Sequence, residues 1–177
     1  FTRPATIVLV GGGHVGYAVY KLANYLGFAT VVVDDREMFA NEARFPEADQ
    51  IVVGDFAQGV ESLQLTPNSY VLVATRGHKY DDQALLAAAR SRAGYVGLLG
   101  SKRKAAMIFR HLFAHGVAEE RIADIRAPVG LDLGGRSPEE IAISVVAEIL
   151  AVRHGKKGGM MKADRLLPKA KQLARKA

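Results

Sequence analysis

Short apolar runs alternate along the chain with segments of helical periodicity. Runs rich in β-branched residues predict five strands, at residues 5–10, 29–33, 50–53, 70–75 and 95–99. After the first run, apolar residues recur at helical spacing from Val15 to Leu26, and Gly27 ends that helix. Further helices are predicted at residues 82–92 and 101–114. The strands are continuously apolar rather than alternating, which is typical of a parallel sheet covered on both faces.

A last helix has a clear start signal in Ser137, Pro138 and Glu140, which stand at the N-cap, first and third helical positions. Residues 125–136 before it form an irregular stretch with three glycines and a proline. Loops of that composition are either functional or mere connectors. The alternation of strands and helices predicts a Rossmann-like, doubly wound α/β fold with three layers, α/β/α.

Composition narrows the class of protein. The 177 residues are 49% hydrophobic and 24% charged, as in one globular domain. The chain has no cysteine, which excludes disulfides, Cys-ligated metals, a thiol nucleophile and a persulfide on this chain. No apolar run is long enough to cross a bilayer. The chain begins at Phe1 without a signal-peptide pattern, so we expect a cytoplasmic domain, consistent with part of a longer protein.

The positive charge is concentrated at the end of the chain. The net charge is +6, yet from Arg153 onward Lys and Arg outnumber Asp164 by eight, which leaves the preceding residues slightly acidic. We expect a folded body over residues 1–154 and a basic tail over 155–177, helical or disordered. A solubilising tail is favoured over a binding arm, and neither a nucleic-acid partner nor a membrane is expected.

The sequence GGGHVG at residues 11–16 fits the pattern G-x-G-x-x-G of dinucleotide-binding loops. It lies between a predicted strand and an amphipathic helix, with His14 inside the motif. Gly11 would make the tight turn, Gly13 would admit a phosphate, and Gly16 would let the helix approach the strand. The helix N-terminus adds free N–H groups for a pyrophosphate. The alternative is a phosphate loop that has lost its ligand.

The second strand ends in Asp34, Asp35 and Arg36, about 20 residues after the glycine loop, where such folds carry a ribose-binding acid. Asp34 is placed to accept hydrogen bonds from a ribose, and its charge should repel a 2′-phosphate.

The fourth strand leads into TRGHKYDD, residues 75–82, at the topological switch point. Thr75, Arg76, Gly77 and His78 are predicted to contribute to the site. Arg76 suits bidentate pairing with a phosphate or a carboxylate. His78 is a secondary candidate for acid–base catalysis, although a hydrogen-bond anchor is the simpler interpretation. His78 and Asp82 have a spacing that two metal ligands could use, but two ligands do not make a site, and no metal is expected.

The fifth strand leads into GSKRKA, residues 100–105. Gly100 and Ser101 precede a helix whose first turn carries Lys102 and two further basic residues. Cations there oppose the helix dipole, so they indicate an anion pocket rather than helix stabilisation. A solvated basic face is the alternative.

These motifs together resemble the xanthine dehydrogenase accessory factor family (XdhC/CoxI), over about residues 5–154. The resemblance is carried, in this order, by GGGHVG, DDR with RFPEAD, TRGHKYD, GLLGSKRK and PVGLDLGGRSPEEIAISVVAEILA. It corresponds to the carboxy-terminal Rossmann-like domain of that family. It implies a role in maturing molybdenum hydroxylases, such as xanthine dehydrogenase or carbon monoxide dehydrogenase, by binding the molybdenum cofactor (molybdopterin), helping its sulfuration with a cysteine desulfurase, and handing it to the apoenzyme.

The family's full-length members also carry a Cys-containing amino-terminal domain, which this chain lacks. Sulfuration would therefore need a separate amino-terminal domain or another chain. For the oligomeric state of this chain, a homodimer is an open alternative. The glycine loop recognises pyrophosphate and does not decide between molybdenum cofactor, NAD, FAD and AMP. We expect a cofactor-binding accessory protein rather than an enzyme. An NAD(P)-linked oxidoreductase and an NAD-sensing regulatory domain are the alternatives.

Overall fold

The computed structural model describes residues 3–176, except for the side chain of Arg165. The first two residues of the predicted body and the last residue of the predicted tail therefore lie outside the described residues. The strands are β1 (Thr6–Val10), β2 (Ala29–Asp34), β3 (Gln50–Val53), β4 (Ser69–Val73) and β5 (Tyr95–Leu98). The helices are α1 (His14–Tyr25), α2 (Phe56–Glu61), α3 (His78–Arg90), α4 (Lys102–Ala114), α5 (Glu119–Ala123), α6 (Pro138–Arg153) and α7 (Leu167–Ala174), with a 3₁₀ turn at Ala163–Arg165.

The five strands form one parallel sheet in the order β3-β2-β1-β4-β5. Val10 at the end of β1 is level with Val33 on one side and Val73 on the other. The chain leaves β1 toward β2 and later returns to β4 on its opposite side, so the switch point lies between β1 and β4. The predicted doubly wound Rossmann-like fold is confirmed.

Both faces of the sheet are covered by helices. Val8 and Val10 of β1 point into the core formed with α2, α3, α4 and α5. Ile7 and Leu9, which alternate with them, point into the core formed with α1 and α6. This arrangement explains the continuously apolar strands, because nearly every residue of β1, β2, β4 and β5 meets a helix layer on one side or the other.

Most element boundaries agree with the predictions to within one or two residues, and the largest differences lie around β4 and α3. The predicted fourth strand included Ala74 and Thr75, which lie in the loop after β4. The helix predicted from residue 82 begins at His78. Its N-cap is Gly77 and no side chain caps it, so the sequence carries no capping signal that would locate this start. The short helices α2 and α5 lay below the length that hydrophobic periodicity detects. The helix α7 lies in the predicted tail, for which helix was one of the two alternatives.

The irregular stretch before α6 is tied to the edge of the sheet. The Val129 N–H donates to the carbonyl of Leu98 at 3.0 Å, and Gly130 N–H donates to the Glu148 carboxylate of α6 at 3.1 Å. The predicted start of α6 is confirmed, since Ser137 and Glu140 form a reciprocal capping box. Within residues 3–176, the structure contains no helix both long and apolar enough to cross a membrane.

Candidate functional site

The loops that follow β1, β2, β4 and β5 gather at the carboxyl edge of the sheet, where ligands bind in open α/β folds. The loop after β1 is joined to the end of β2 by a hydrogen bond from the Gly12 N–H to the Asp34 carboxylate. The loops after β2 and β4 are joined by an ion pair between Asp35 and Arg76. The structure thus brings the predicted motifs together at one edge.

The glycine loop has three positions with different steric demands. Gly11 has a φ of +118°, and a Cβ there would overlap the carbonyl oxygen of Ala74. A Cβ on Gly16 would overlap the carbonyl oxygen of Gly11, so α1 packs directly on the loop. At Gly13, by contrast, nothing lies within 4 Å of an added Cβ. The loop therefore needs Gly11 and Gly16 for its own geometry, whereas Gly13 borders open space.

The N-terminus of α1 faces that open space, and no side chain of its own cap or first turn neutralises its partial positive charge. Its N-cap is Gly13, which has no side chain to accept a hydrogen bond, and its first turn contains no acidic residue. The positive end of the helix dipole is thus available to an anion. His14, the first residue of α1, is exposed at the same place.

Asp34 lies beneath the glycine loop and is fully buried. Its carboxylate accepts the Gly12 N–H at 2.9 Å and the Arg36 N–H at 3.0 Å. It also pairs with the Arg36 guanidinium, at 3.0 Å from Nε and 3.2 Å from Nη2. Four donors therefore already occupy this carboxylate. Its predicted role at a ribose stays a prediction, and the more accessible acid at this position is Asp35.

The segment RFPEAD braces the glycine loop, a role that the sequence analysis missed. Arg44 Nη2 donates to the carbonyl of Gly12 at 2.7 Å. The Arg44 guanidinium also lies between 5.2 and 5.5 Å from the ring centres of Tyr17, Phe39 and Phe45. The motif was visible in the sequence, but no spacing rule links residue 44 to residue 12.

Arg76 forms a bidentate ion pair with Asp35, in which both guanidinium Nη atoms contact the carboxylate. The Nη2–Oδ2 distance is 2.8 Å. The Arg76 guanidinium also lies over the ring of Tyr80, 4.2 Å from its centre. The hydrogen bond from Arg76 holds the pKa of Asp35 below its usual value, and Asp35 raises the pKa of Arg76. The predicted bidentate partner of Arg76 is, in this structure, a carboxylate.

Asp81 connects the loop after β4 to α4. Its buried carboxylate accepts the N–H of Thr75 at 2.9 Å and the hydroxyl of Thr75 at 2.6 Å. Lys104 Nζ pairs with the other carboxylate oxygen. Lys104 is thereby turned away from the expected anion pocket, while Lys102 and Arg103 stay exposed.

The remaining predicted residues lie at two helix starts. His78 is the exposed first residue of α3, directly after its N-cap Gly77. Ser101 is the N-cap of α4, after Gly100, and its hydroxyl accepts the Lys104 N–H at 3.2 Å. Asp82 Oδ2 lies 3.6 Å from Nδ1 of His111. Among residues 3–176, no three potential metal ligands lie together.

The comparisons with known proteins agree with one another. The family model described as the XdhC Rossmann domain matches residues 7–149. Similar proteins include the uncharacterized protein YqeB of Escherichia coli (40% identical over 156 residues, 88% of this chain and 28% of YqeB) and a probable xanthine dehydrogenase subunit of Bacillus subtilis (32% identical over 149 residues, 83% of this chain and 42% of that protein).

A molybdenum cofactor insertion chaperone, PaoD of Escherichia coli, is 32% identical over 92 residues, which are 52% of this chain and 29% of PaoD. The crystal structure of a xanthine dehydrogenase from Bacillus halodurans superposes with a TM-score of 0.76 at 27% identity, covering 88% of this chain and 46% of that chain. The chain thus spans less than half the length of each of these proteins.

Proposed function

The chain belongs to the XdhC family through its Rossmann domain, and on that premise we propose that it serves the maturation of molybdenum hydroxylases. In this role it binds a phosphate-bearing cofactor and presents it to the apoenzyme. The proposal is supported by the names of two relatives, the molybdenum cofactor insertion chaperone PaoD and the probable xanthine dehydrogenase subunit of Bacillus subtilis. Because the chain spans less than half of these relatives, the proposed role is that of one domain in a larger machinery.

The observation that carries this proposal is the open cradle at the start of α1. A phosphate in front of Gly13 would meet no side chain from that residue and would face the uncapped helix N-terminus. Gly11 and Gly16 hold the loop in this shape. This fits the phosphate of molybdenum cofactor as well as the pyrophosphate of a dinucleotide, so Gly11, Gly13, His14 and Gly16 form the proposed phosphate subsite.

The neighbouring loops would hold the rest of the ligand. We assign further anionic groups to Arg76 after β4 and Lys102 at the start of α4. Hydroxyl groups would meet the acids that follow β2. The full proposed set adds the loop residues Asp34, Asp35, Arg36, Thr75, Gly77, His78, Gly100 and Ser101.

The sulfur for the cofactor would have to be supplied by another chain or domain. The chain contains no cysteine, so no persulfide forms on it. When bound, the molybdenum cofactor would supply the redox centre of the client enzyme, whereas this domain would orient its phosphate end. We propose as partners the hydroxylase apoenzyme, a cysteine desulfurase and a separate amino-terminal domain of the same family.

Ligand identification tests the proposal directly. The purified chain is incubated in parallel with molybdenum cofactor, NAD, FAD and AMP, freed of unbound ligand and denatured. Pterin fluorescence and mass spectrometry then identify what was bound, with Gly13→Asp as the matched control. We expect one pterin per chain, lost in the variant. Stoichiometric NAD or FAD without pterin would favour an NAD-sensing or oxidoreductase role, and no ligand in any arm would overturn the proposed site.

A further inference from the structure

We propose that Asp35 and Arg76 form a latch over the glycine loop, so that a bound phosphate must replace the Asp35 carboxylate on the Arg76 guanidinium. This inference rests on the proposed phosphate site and assigns its selectivity to one ion pair. The Asp35–Arg76 latch is closed in this structure.

The topology places the latch over the ligand position. Asp35 directly follows β2 and Arg76 follows β4, while β1 lies between these two strands. Neighbouring strands are about 4.8 Å apart, so the pair spans roughly 10 Å across the carboxyl end of β1. Gly11 stands at that end. A ligand seated at the start of α1 therefore meets the latch.

The geometry makes a phosphate a direct competitor of Asp35. Both Nη atoms of Arg76 are engaged by the two carboxylate oxygens. A phosphate group offers two oxygens to the same planar fork, and guanidinium pairs with both anions in this bidentate way. The two anions therefore exclude each other from these N–H groups.

Both partners keep a compensating neighbour after the exchange. Arg76 stays positioned by the ring of Tyr80, 4.2 Å from its guanidinium carbon. Asp35 Oδ1 lies 3.8 Å from Nε of Arg36, so the released carboxylate remains beside a cation. After the ion pair opens, Arg76 still lies over an aromatic ring and Asp35 still lies beside a cation.

Solvent exposure separates this pair from the other two acid–base pairs at the same edge. The carboxylates of Asp34 and Asp81 are fully buried against Arg36 and Lys104. In the latch, the side chains of Asp35 and Arg76 are 23% and 35% exposed. Ion pairs in contact with water contribute little net free energy, so a ligand can displace this carboxylate but not the two buried ones.

A double-mutant cycle tests the latch. Calorimetric titration of the 177-residue chain with ADP, and separately with inorganic pyrophosphate, is repeated for Asp35→Asn, Arg76→Gln and the double variant. Loss of the competing carboxylate should tighten pyrophosphate binding roughly threefold to tenfold in Asp35→Asn. The gain for ADP should be smaller, because this variant also loses a carboxylate proposed to meet the ribose hydroxyl groups. Arg76→Gln should weaken binding, and in that background Asp35→Asn should change the affinity no more than the charge control Glu37→Gln does.

Glu37→Gln is the matched control, because Glu37 is an exposed acid two residues away, and its substitution removes the same charge without touching a contact of Arg76. A gain in Asp35→Asn no larger than in Glu37→Gln, or a gain that persists in the Arg76→Gln background, would overturn the latch and leave the phosphate site intact. Absence of binding of both probes by all variants would overturn the phosphate site itself, and the latch with it.

Discussion

The carboxylate of Asp34 accepts the backbone N–H of Gly12 at 2.9 Å, although 22 residues separate the two in the chain. This bond ties the glycine loop to the end of β2 beneath the surface. The acid that such folds usually offer to a ribose is here also a structural clasp, held in turn by Arg36. The shape of the proposed phosphate cradle therefore depends on the buried side chain of Asp34.

Asp34→Asn should destabilise the fold. An amide cannot accept all four hydrogen bonds that the carboxylate accepts, and it leaves the Arg36 guanidinium without its charged partner. We expect a loss of about 2–4 kcal/mol in the free energy of unfolding, measured by urea denaturation. Asp35→Asn, which affects a partly exposed pair, should cost much less. Equal small effects of both substitutions would contradict the clasp.

Gly13→Asp should abolish ligand binding and preserve the fold. The new side chain enters open space, where Asp is a favoured N-cap for α1, but it places a carboxylate at the phosphate position. Gly12→Ala should instead destabilise the fold by about 1–3 kcal/mol, because its Cβ would overlap the carbonyl oxygen of Phe39. Thermal unfolding and ADP titration of both variants measure the contrast. Retained ADP affinity in Gly13→Asp would remove the glycine loop from the site.

Tyr95 should make stability fall at high pH. Its hydroxyl donates to the Glu148 carboxylate at 2.7 Å, and burial, followed by the charge of Glu148, raises the pKa of the phenol above its usual value of 10.0. A pKa raised by folding stabilises the fold below pH 10, and this contribution is lost as the pH rises beyond that value. Urea denaturation at pH 8 and pH 10.5 should show this loss in the native chain. Tyr95→Phe should lack this difference.

Glu140 should contribute to stability at neutral pH and lose that contribution in acid. The N–H groups of Arg136 and Ser137 hold its pKa below the usual 4.5. A carboxyl group whose pKa is lowered by folding stabilises the folded state at pH values above its usual pKa. This contribution disappears as the pH falls through the lowered pKa. Glu140→Gln keeps an acceptor for the capping box but removes the charge. The melting temperatures of the native chain and of Glu140→Gln should therefore converge as the pH falls from 7 to 3. A difference that stays constant would contradict the stabilising role of the Glu140 charge.

Local patterns located the strands and most of the helices that carry the candidate site. The apolar runs located all five strands: the runs of β1, β2, β4 and β5 are buried on both faces, whereas β3 at the edge of the sheet is only partly buried. The helix α6 was located by Ser137 and Glu140, whose capping box depends only on neighbours three residues apart. The start of α3 was misplaced by four residues because Gly77 gives no such local signal.

The partners of the charged residues could not be predicted in the same way. Lys104 was expected in an anion pocket, yet it pairs with Asp81, and Arg44 was not expected at the glycine loop at all. The chain has 24 basic and 18 acidic residues, so charge alone permits many pairings.

The doubly wound fold follows from the periodicity of the amino-acid sequence, the glycine loop from the spacing of its glycines, and the family from the resemblance of the motifs. Which charges meet, by contrast, depends on how the chain folds in three dimensions. Asp35 and Arg76 are 41 residues apart, and they form an ion pair because the fold places β2 and β4 on either side of β1. No local pattern encodes that pairing, since it arises from the order of the strands in the sheet.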